Sequence, residues 1–248
     1  EMPAGSGGGN MSALTVSKDE EKRLKGQGFL NNRGTDEFSA RVITVNGKVT
    51  AAQHRCMAEA AEKFGNGNLT YTTRLSVEIQ GIPYEKIEKF QEFIAKEGLE
   101  TGGTGAKVRP VVSCKGTTCQ YGLLDSYGIS EKIFERFYKG YRQVALPHKF
   151  KIAVGGCPNN CVKPNLNDVG IIGQRIPHFD KALCKGCKKC AIEAACPNKV
   201  AKVVDGKLHI DEELCRHCGR CVGKCPFHSI PDGTYGFKIY IGGRWGKK

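Results

Sequence analysis

Alternation of apolar and polar positions begins at Phe38. The stretch Arg41–Val45 is alternating and β-branched and reads as a strand, closed by the turn pair Asn46-Gly47. Thr50 with Gln53 three residues on is a capping-box pattern, so a helix is predicted over Ala51–Phe64, stopped by Gly65. The next run, LTYTTRLSVEIQGI, has a period of two and predicts one strand, with Leu75, Val77 and Ile79 on one face and Arg74, Ser76 and Glu78 on the other. Pro83 suits a first helical position, Ile87, Phe90, Phe93 and Ile94 make one apolar stripe, and Gly98 ends that second helix. Strand, helix, strand and helix in succession predict an α+β module. Ser17–Gly28, ahead of it, is charged and weakly periodic and reads as a surface segment with no defined element.

Beyond Gly98 the pattern is sparser. TGGTG, Thr101–Gly105, reads either as a loop whose backbone N–H groups approach an anion or as a plain flexible connection. Ser130 is placed to cap a helix running through Tyr138 and closing at Gly140. KFKIAV, Lys149–Val154, predicts a strand with Lys149 and Lys151 on one face and Phe150, Ile152 and Val154 on the other. Such a lysine pair is either an anion site or a solvated sheet face. Residues Pro177–Pro231 have little apolar content, and the alternating GFKIYIGG that follows reads as a continuation of the strand in DVGIIG, Asp168–Gly173. The intervening segment is therefore predicted to be an insertion.

The cysteines carry the chemistry. In GGCPNNC, Cys157 and Cys161 sit in a tight loop, and SCKGTTC supplies Cys114 and Cys119. Four thiolates select zinc or an iron–sulfur cluster, and these four residues alone leave both open. Cys184, Cys187, Cys190 and Cys196 before Pro197, then Cys215, Cys218, Cys221 and Cys225 before Pro226, are two successive ferredoxin-type runs. In such runs the fourth cysteine ligates the other cluster, so Cys225 joins the first three of one run and Cys196 the first three of the other. Three four-iron clusters then use twelve of the thirteen cysteines and leave Cys56 as a buried small hydrophobe in its helix. Zinc in the first site would place a redox-inactive ion beside two electron carriers.

A chain of 248 residues holds one large or two small domains. Its formal charge of +13 counts every cysteine as neutral, whereas thiolate-held clusters are anionic, so part of the excess base is internal compensation. The basic residues are dispersed and no nucleic-acid motif is present, which argues against DNA or RNA as a partner. Cysteines used as cluster ligands imply a reducing compartment. No apolar run approaches the roughly 20 residues of a bilayer span, and no secretory segment precedes Ser12. The expected location is the cytoplasm. Glycine-rich Glu1–Asn10 reads as a disordered leader or a cloning remnant, with Met11 as a natural start.

GGCPNNCVKP together with SCKGTTC resembles the signature of siroheme-dependent sulfite and nitrite reductases, over about Phe38–Gly173 and again from Gly236. The form it is most similar to is the short anaerobic sulfite reductase catalytic subunit with an inserted two-cluster ferredoxin module. The resemblance implies an α+β fold in these parts: an N-terminal extension over 1–35, partly disordered; a ferredoxin-like half-domain over 36–100; a siroheme and [4Fe-4S] domain over 101–176 and 232–248; and an inserted 2[4Fe-4S] ferredoxin domain over 177–231. It implies siroheme and three [4Fe-4S] clusters as cofactors, with Cys161 linking cluster to siroheme iron. Arg41 in FSARV, Arg109 in KVRPVVSC, and Lys149 with Lys151 in LPHKFK match the family's substrate-anion residues. Thr72 and Arg74 in TYTTRL match a siroheme-carboxylate contact. Leu75 and Glu78 stand where glutamines are common in the family.

The implied reaction is six-electron reduction of sulfite to sulfide. The same cofactors serve nitrite reduction to ammonia, and a siroheme-free electron-transfer subunit would also keep the clusters, although a pure carrier has no need of an anion pocket. The implied partners are sulfite or nitrite and an electron-donor subunit or a ferredoxin-like or flavin-linked donor. Because larger members carry two copies of the half-domain and siroheme domain, a homodimer or larger complex is expected. More chain usually follows the last strand in the family, so a helical part is expected beyond Lys248.

Overall fold

The computed structural model describes residues 16–244. The expectations for Glu1–Asn10, Met11 and the far C-terminus lie outside the described residues. The chain divides into two units, Glu1–Pro110 with Tyr141–Lys149, and Val111–Gly140 with Phe150–Lys248.

The first unit begins with helix α1, Lys18–Gln27, where the sequence predicts no element. Ser17 accepts from Glu20 N at 3.2 Å, acidic residues fill the first turn, and Gly28 at φ 102° closes it. Its one buried residue is Leu24, so no apolar period betrays it. Four strands follow in the antiparallel order β1-β2-β4-β3: β1, Phe29–Asn31; β2, Glu37–Val42; β3, Leu69–Tyr71; and β4, Val77–Pro83. Helices α2, Ala51–Phe64, and α3, Ile87–Ala95, complete the module. The Thr50/Gln53 capping box forms, and Gly65 ends α2. The core joins Phe38, Ala40 and Val42 of β2 to Val77, Ile79 and Ile82 of β4, and both helices press onto it through Met57, Ala60, Phe90 and Ile94. Leu24 and Phe29 belong to this same core, and Phe90 meets Phe29 and Phe64 edge-on, each at 6.1 Å. Pro83 ends β4 and precedes a single 3₁₀ turn, rather than opening α3 itself.

The long strand predicted over Leu69–Ile82 is instead a hairpin. Leu69, Thr70 and Tyr71 pair with Ile79, Glu78 and Val77. Thr72 makes the turn: its hydroxyl accepts from Arg74 N at 3.3 Å and Ser76 N at 3.2 Å, and Leu75 takes φ 61°. A turn of Thr, Arg, Leu and Ser, without Gly or Pro, keeps the period of two and so is invisible to it.

The second unit is built on a mixed sheet of order β10-β7-β6-β5. Strands β5, Val112–Ser113; β6, Ile152–Gly155; and β7, Val169–Pro177, are parallel, and β10, Gly233–Ile241, runs antiparallel to β7 along all nine residues of both. The predicted continuation of one strand by the other is thus a direct pairing, and residues 178–232 leave and return at its end, where His178 N donates to Asp232 O at 3.1 Å. Between them lie the short helix α5, Ala191–Ala195, and the hairpin β8, Ala201–Val204, with β9, Lys207–Ile210. The segment has a small apolar core of its own, Ile192, Ala201, Leu208 and Ile230, against which Cys184, Cys190, Cys196, Cys221 and Cys225 pack.

Two expectations fail in this unit. Helix α4, Ser126–Ile133, is capped by Asp125, whose carboxylate accepts from Gly128 N at 3.0 Å, and Ser130 lies buried inside it. A π-helical stretch, Phe134–Lys139, carries the chain on to Gly140. The strand expected from Lys149 starts only at Ile152, and Ile152, Ala153, Val154 and Gly155 are all buried. A parallel strand between two others is covered on both faces, so lysine alternation does not describe it.

Candidate metal centre and basic residues

Adjacent parallel strands end on the same edge of a sheet. Cys114 directly follows β5, and Gly156-Cys157 directly follows β6, so both cysteine pairs issue from that edge. The two loops are locked together. Cys114 N donates to Val154 O at 3.2 Å, Gly156 N donates to Cys114 Sγ at 3.1 Å, and Ser126 Oγ donates to Cys114 O at 2.7 Å. Gly116 and Gly156 touch through their backbones, since a Cβ on Gly116 would come 2.6 Å from Gly156 Cα. In the second loop Asn160 and Lys163 adopt left-handed φ of 57° and 49°, Asn160 N donates to Cys157 O at 3.2 Å, and Asn160 Nδ2 donates to Asn165 Oδ1 at 2.7 Å. Burial, and then the neighbouring Cys114, Cys161 and Cys119, push the Cys157 thiol up. Cys157 thus has the other three thiols for neighbours. Cys161 is the one cysteine among the described residues that is exposed.

In the inserted segment Cys196, Cys215, Cys218 and Cys221 line one small cavity. Burial pushes Cys221 up to about 11, with Cys218, Cys215 and Cys196 adding to the effect, and Cys215 is raised in the same manner. This is the set expected from crossed ligation. Cys184 Sγ accepts from Leu208 N at 3.4 Å, and Cys225, despite burial, is drawn down by hydrogen bonds from Ser229 and Phe227. Among the described residues no three His, Cys, Asp or Glu side chains gather closely enough for a single metal ion. Cys56 sits in the first unit's core, its Sγ 4.0 Å from Phe93 O.

The basic residues fall in both units. In the first, Arg41 Nε donates to Glu78 Oε1 at 2.9 Å, and its Nη1 reaches Gly103 O at 3.4 Å. Arg109 donates to the same carbonyl. Arg74, carried by the Thr72 turn, donates to Pro110 O at 2.7 Å. The TGGTG loop thus turns the Gly103 carbonyl toward two guanidinium groups, and Gly103 at φ 71° packs against Ile43 and Pro110. Its work is to fix Arg41 and Arg109. Lys149 is exposed in the first unit, whereas Lys151, half-buried in the second, donates its backbone N–H to Asp168 at 2.7 Å. Sequence reading missed Glu78 as the holder of Arg41. The two face each other in the β2–β4 register, a signal that becomes visible once those strands are paired.

Comparison with known proteins finds matches over both units. A family model described as the nitrite and sulphite reductase 4Fe-4S domain matches residues 104–248, and one described as the nitrite/sulfite reductase ferredoxin-like half domain matches residues 31–97. The chain is 35% identical over 134 residues to the coenzyme F420-dependent sulfite reductase of Methanocaldococcus jannaschii, covering 54% of this chain and 21% of that one. It is 30% identical over 147 residues to one of the subunits of the anaerobic sulfite reductase of Salmonella typhimurium, covering 53% and 42%. In fold it resembles a crystal structure of dissimilatory sulfite reductase I, with a TM-score of 0.62 at 21% identity over 83% of this chain and 54% of that one. The chain spans about half or less of the length of each of these relatives.

Proposed function

The chain belongs to the nitrite and sulphite reductase family, and from that premise we propose that it reduces sulfite to sulfide at a siroheme coupled to a [4Fe-4S] cluster held by Cys114, Cys119, Cys157 and Cys161. Two further [4Fe-4S] clusters, on Cys184, Cys187, Cys190 with Cys225 and on Cys215, Cys218, Cys221 with Cys196, relay the electrons. The observation that carries the reading is the pair of cysteine loops locked together at the ends of β5 and β6, with Cys161 exposed.

Hydrogensulfite takes up six electrons and six protons and leaves as hydrosulfide and three waters. When bound, siroheme supplies an iron that can ligate the substrate and exchange electrons with the neighbouring cluster. The chain's own residues do the rest. Arg41 and Arg109 are aimed by the Gly103 carbonyl, and Arg41 also by Glu78. Preoriented cations of this kind lower the energy of a bound oxyanion as charge accumulates on its oxygens, and they need no rearrangement when the charge develops. Arginine suits bidentate contact with oxyanion oxygens, whereas a lysine beside other cations also gives up a proton. In this reading Lys149 and Lys151 deliver protons to the departing oxygens. Thr72, by shaping the turn that carries Arg74, sets that guanidinium for a siroheme carboxylate.

The test is anaerobic turnover of the cofactor-loaded protein with a reduced viologen dye. One sulfide per six electrons, with no release of partly reduced sulfur, is expected. Dye oxidation driven by nitrite far better than by sulfite would assign the same site to ammonia formation. Fully loaded protein that oxidises dye with neither anion would contradict a reductase.

A further inference from the structure

The second ferredoxin-type run is seated on β7 and on the two loops of the four-thiol site. Arg175 N, in β7, donates to His217 O at 2.8 Å, and Arg175 bridges to Cys218 in parallel register. Gly219 follows at φ 67°, so close that a Cβ there would lie 2.8 Å from Arg175 Cβ. The next residue, Arg220, reaches both loops of the four-thiol site. Its Nη2 donates to Asn159 Oδ1 at 3.3 Å, between Cys157 and Cys161, and its guanidinium lies 4.8 Å from the ring centroid of Tyr121, two residues after Cys119. Beside this contact is a cavity of about 590 Å³, walled by Pro158 and Asn160 on one side and by Cys215, Arg216 and His217 on the other.

We propose that Arg220 is a positioning residue: it ties the Cys196/Cys215/Cys218/Cys221 set to the Cys114/Cys119/Cys157/Cys161 set and so makes the former the direct electron donor to the latter. The proposal rests on the iron–sulfur reading above. An electron crossing at this point would leave a cluster held by the first set oxidised by one and a cluster held by the second reduced by one. No bond forms or breaks and no proton moves, and the first set is then re-reduced through the Cys184/Cys187/Cys190/Cys225 set by an external low-potential one-electron carrier. Arg220 makes the link because it stands between Cys218 and Cys221 in the chain while its side chain ends on the partner loops. A charge-assisted hydrogen bond with a cation–π contact fixes a long side chain at both ends.

The experiment uses the full, cofactor-loaded chain with Arg220→Ala, Arg220→Lys and Asn159→Ala. It reads iron content, magnetic broadening between reduced clusters by electron paramagnetic resonance, and the rate at which the four-thiol centre is reduced in rapid mixing with a protein donor. Arg220→Ala is expected to keep its iron, to lose the broadening between these two clusters, and to slow that reduction about tenfold, in line with the cost of small misplacements. Arg220→Lys, which keeps a cation over Tyr121, should recover most of the rate. If Arg220→Ala fails to retain iron, Asn159→Ala removes the same hydrogen bond without touching the second run and should show the same loss of broadening. Unchanged broadening and rate in an iron-replete Arg220→Ala or Asn159→Ala protein would overturn the tether. Wild-type protein with no cluster resonances on reduction would instead sink the reading on which it rests.

Discussion

Replacing Gly116 by alanine probes the loop contact on which the four-thiol site depends. Gly116 has no positive φ, so the effect is steric alone. The new Cβ would stand 2.6 Å from Gly156 Cα and 2.9 Å from Ser126 Oγ, where ordinary contact begins at 3.4 Å. The backbones must therefore part by 3.4 − 2.6 = 0.8 Å, and neither neighbour is the free end of a flexible side chain. Overpacking of this kind costs about 1–3 kcal/mol. For a domain of this size each kcal/mol lowers Tm by about 2–4 °C, giving a fall of about 2–12 °C. The displacement separates the Cys114/Cys119 loop from the Cys157/Cys161 loop, so cluster iron should drop from about twelve to about eight per chain. The assay is iron analysis of anaerobically purified protein beside a thermal melt. Gly26→Ala is the control: that glycine lies inside α1 with no atom within 4 Å of an added Cβ, and it should melt no lower and keep all its iron. A Gly116→Ala protein with full iron and an unchanged Tm would refute the reasoning.

Three further outcomes are expected. Lys149→Met or Lys151→Met should leave siroheme loading intact and lower turnover by about 10²–10³, the cost of removing one electrostatic donor; unchanged turnover in both would make them solvated lysines. Cys56→Ala should lose no iron. Burial raises the Cys56 thiol, so its contribution to stability is fully present below the unfolded thiol pKa and is lost as pH rises through the folded one; the Tm gap between wild type and Cys56→Ala should therefore narrow above about pH 8.5, and a constant gap would contradict it. Light scattering of the active protein should give a dimer or larger complex, and an active, siroheme-loaded monomer would rule that out.

What the sequence revealed follows the range of the interaction involved. The cysteine runs were legible because their spacing is local in the chain, and in the structure Cys196 lines one cavity with Cys215, Cys218 and Cys221. The capping box at Thr50 and Gln53 and the stop at Gly65 were equally local. Helix α1 escaped notice because it buries Leu24 alone, and the Thr72–Ser76 turn because its residues preserve alternation. Asp125 outcompeted Ser130 as a cap since its carboxylate also accepts from Thr117 Oγ1, at 2.7 Å, a contact from the cysteine loop. The rest of the site depends on partners distant in sequence. Glu78 holds Arg41 across two strands, Gly103 gathers Arg41 and Arg109, and Gly116 meets Gly156. Polar alternation put Glu78 on the correct face but could not name its partner.

The most direct test of the central claim is the absorption spectrum of protein purified without oxygen. Siroheme coupled to a cluster predicts a Soret band and long-wavelength bands above the broad iron–sulfur absorption, and these bands should disappear in a Cys161→Ser protein that keeps the ferredoxin-type clusters. Iron–sulfur absorption alone, from protein replete in all three clusters, would contradict the account and leave the chain an electron carrier.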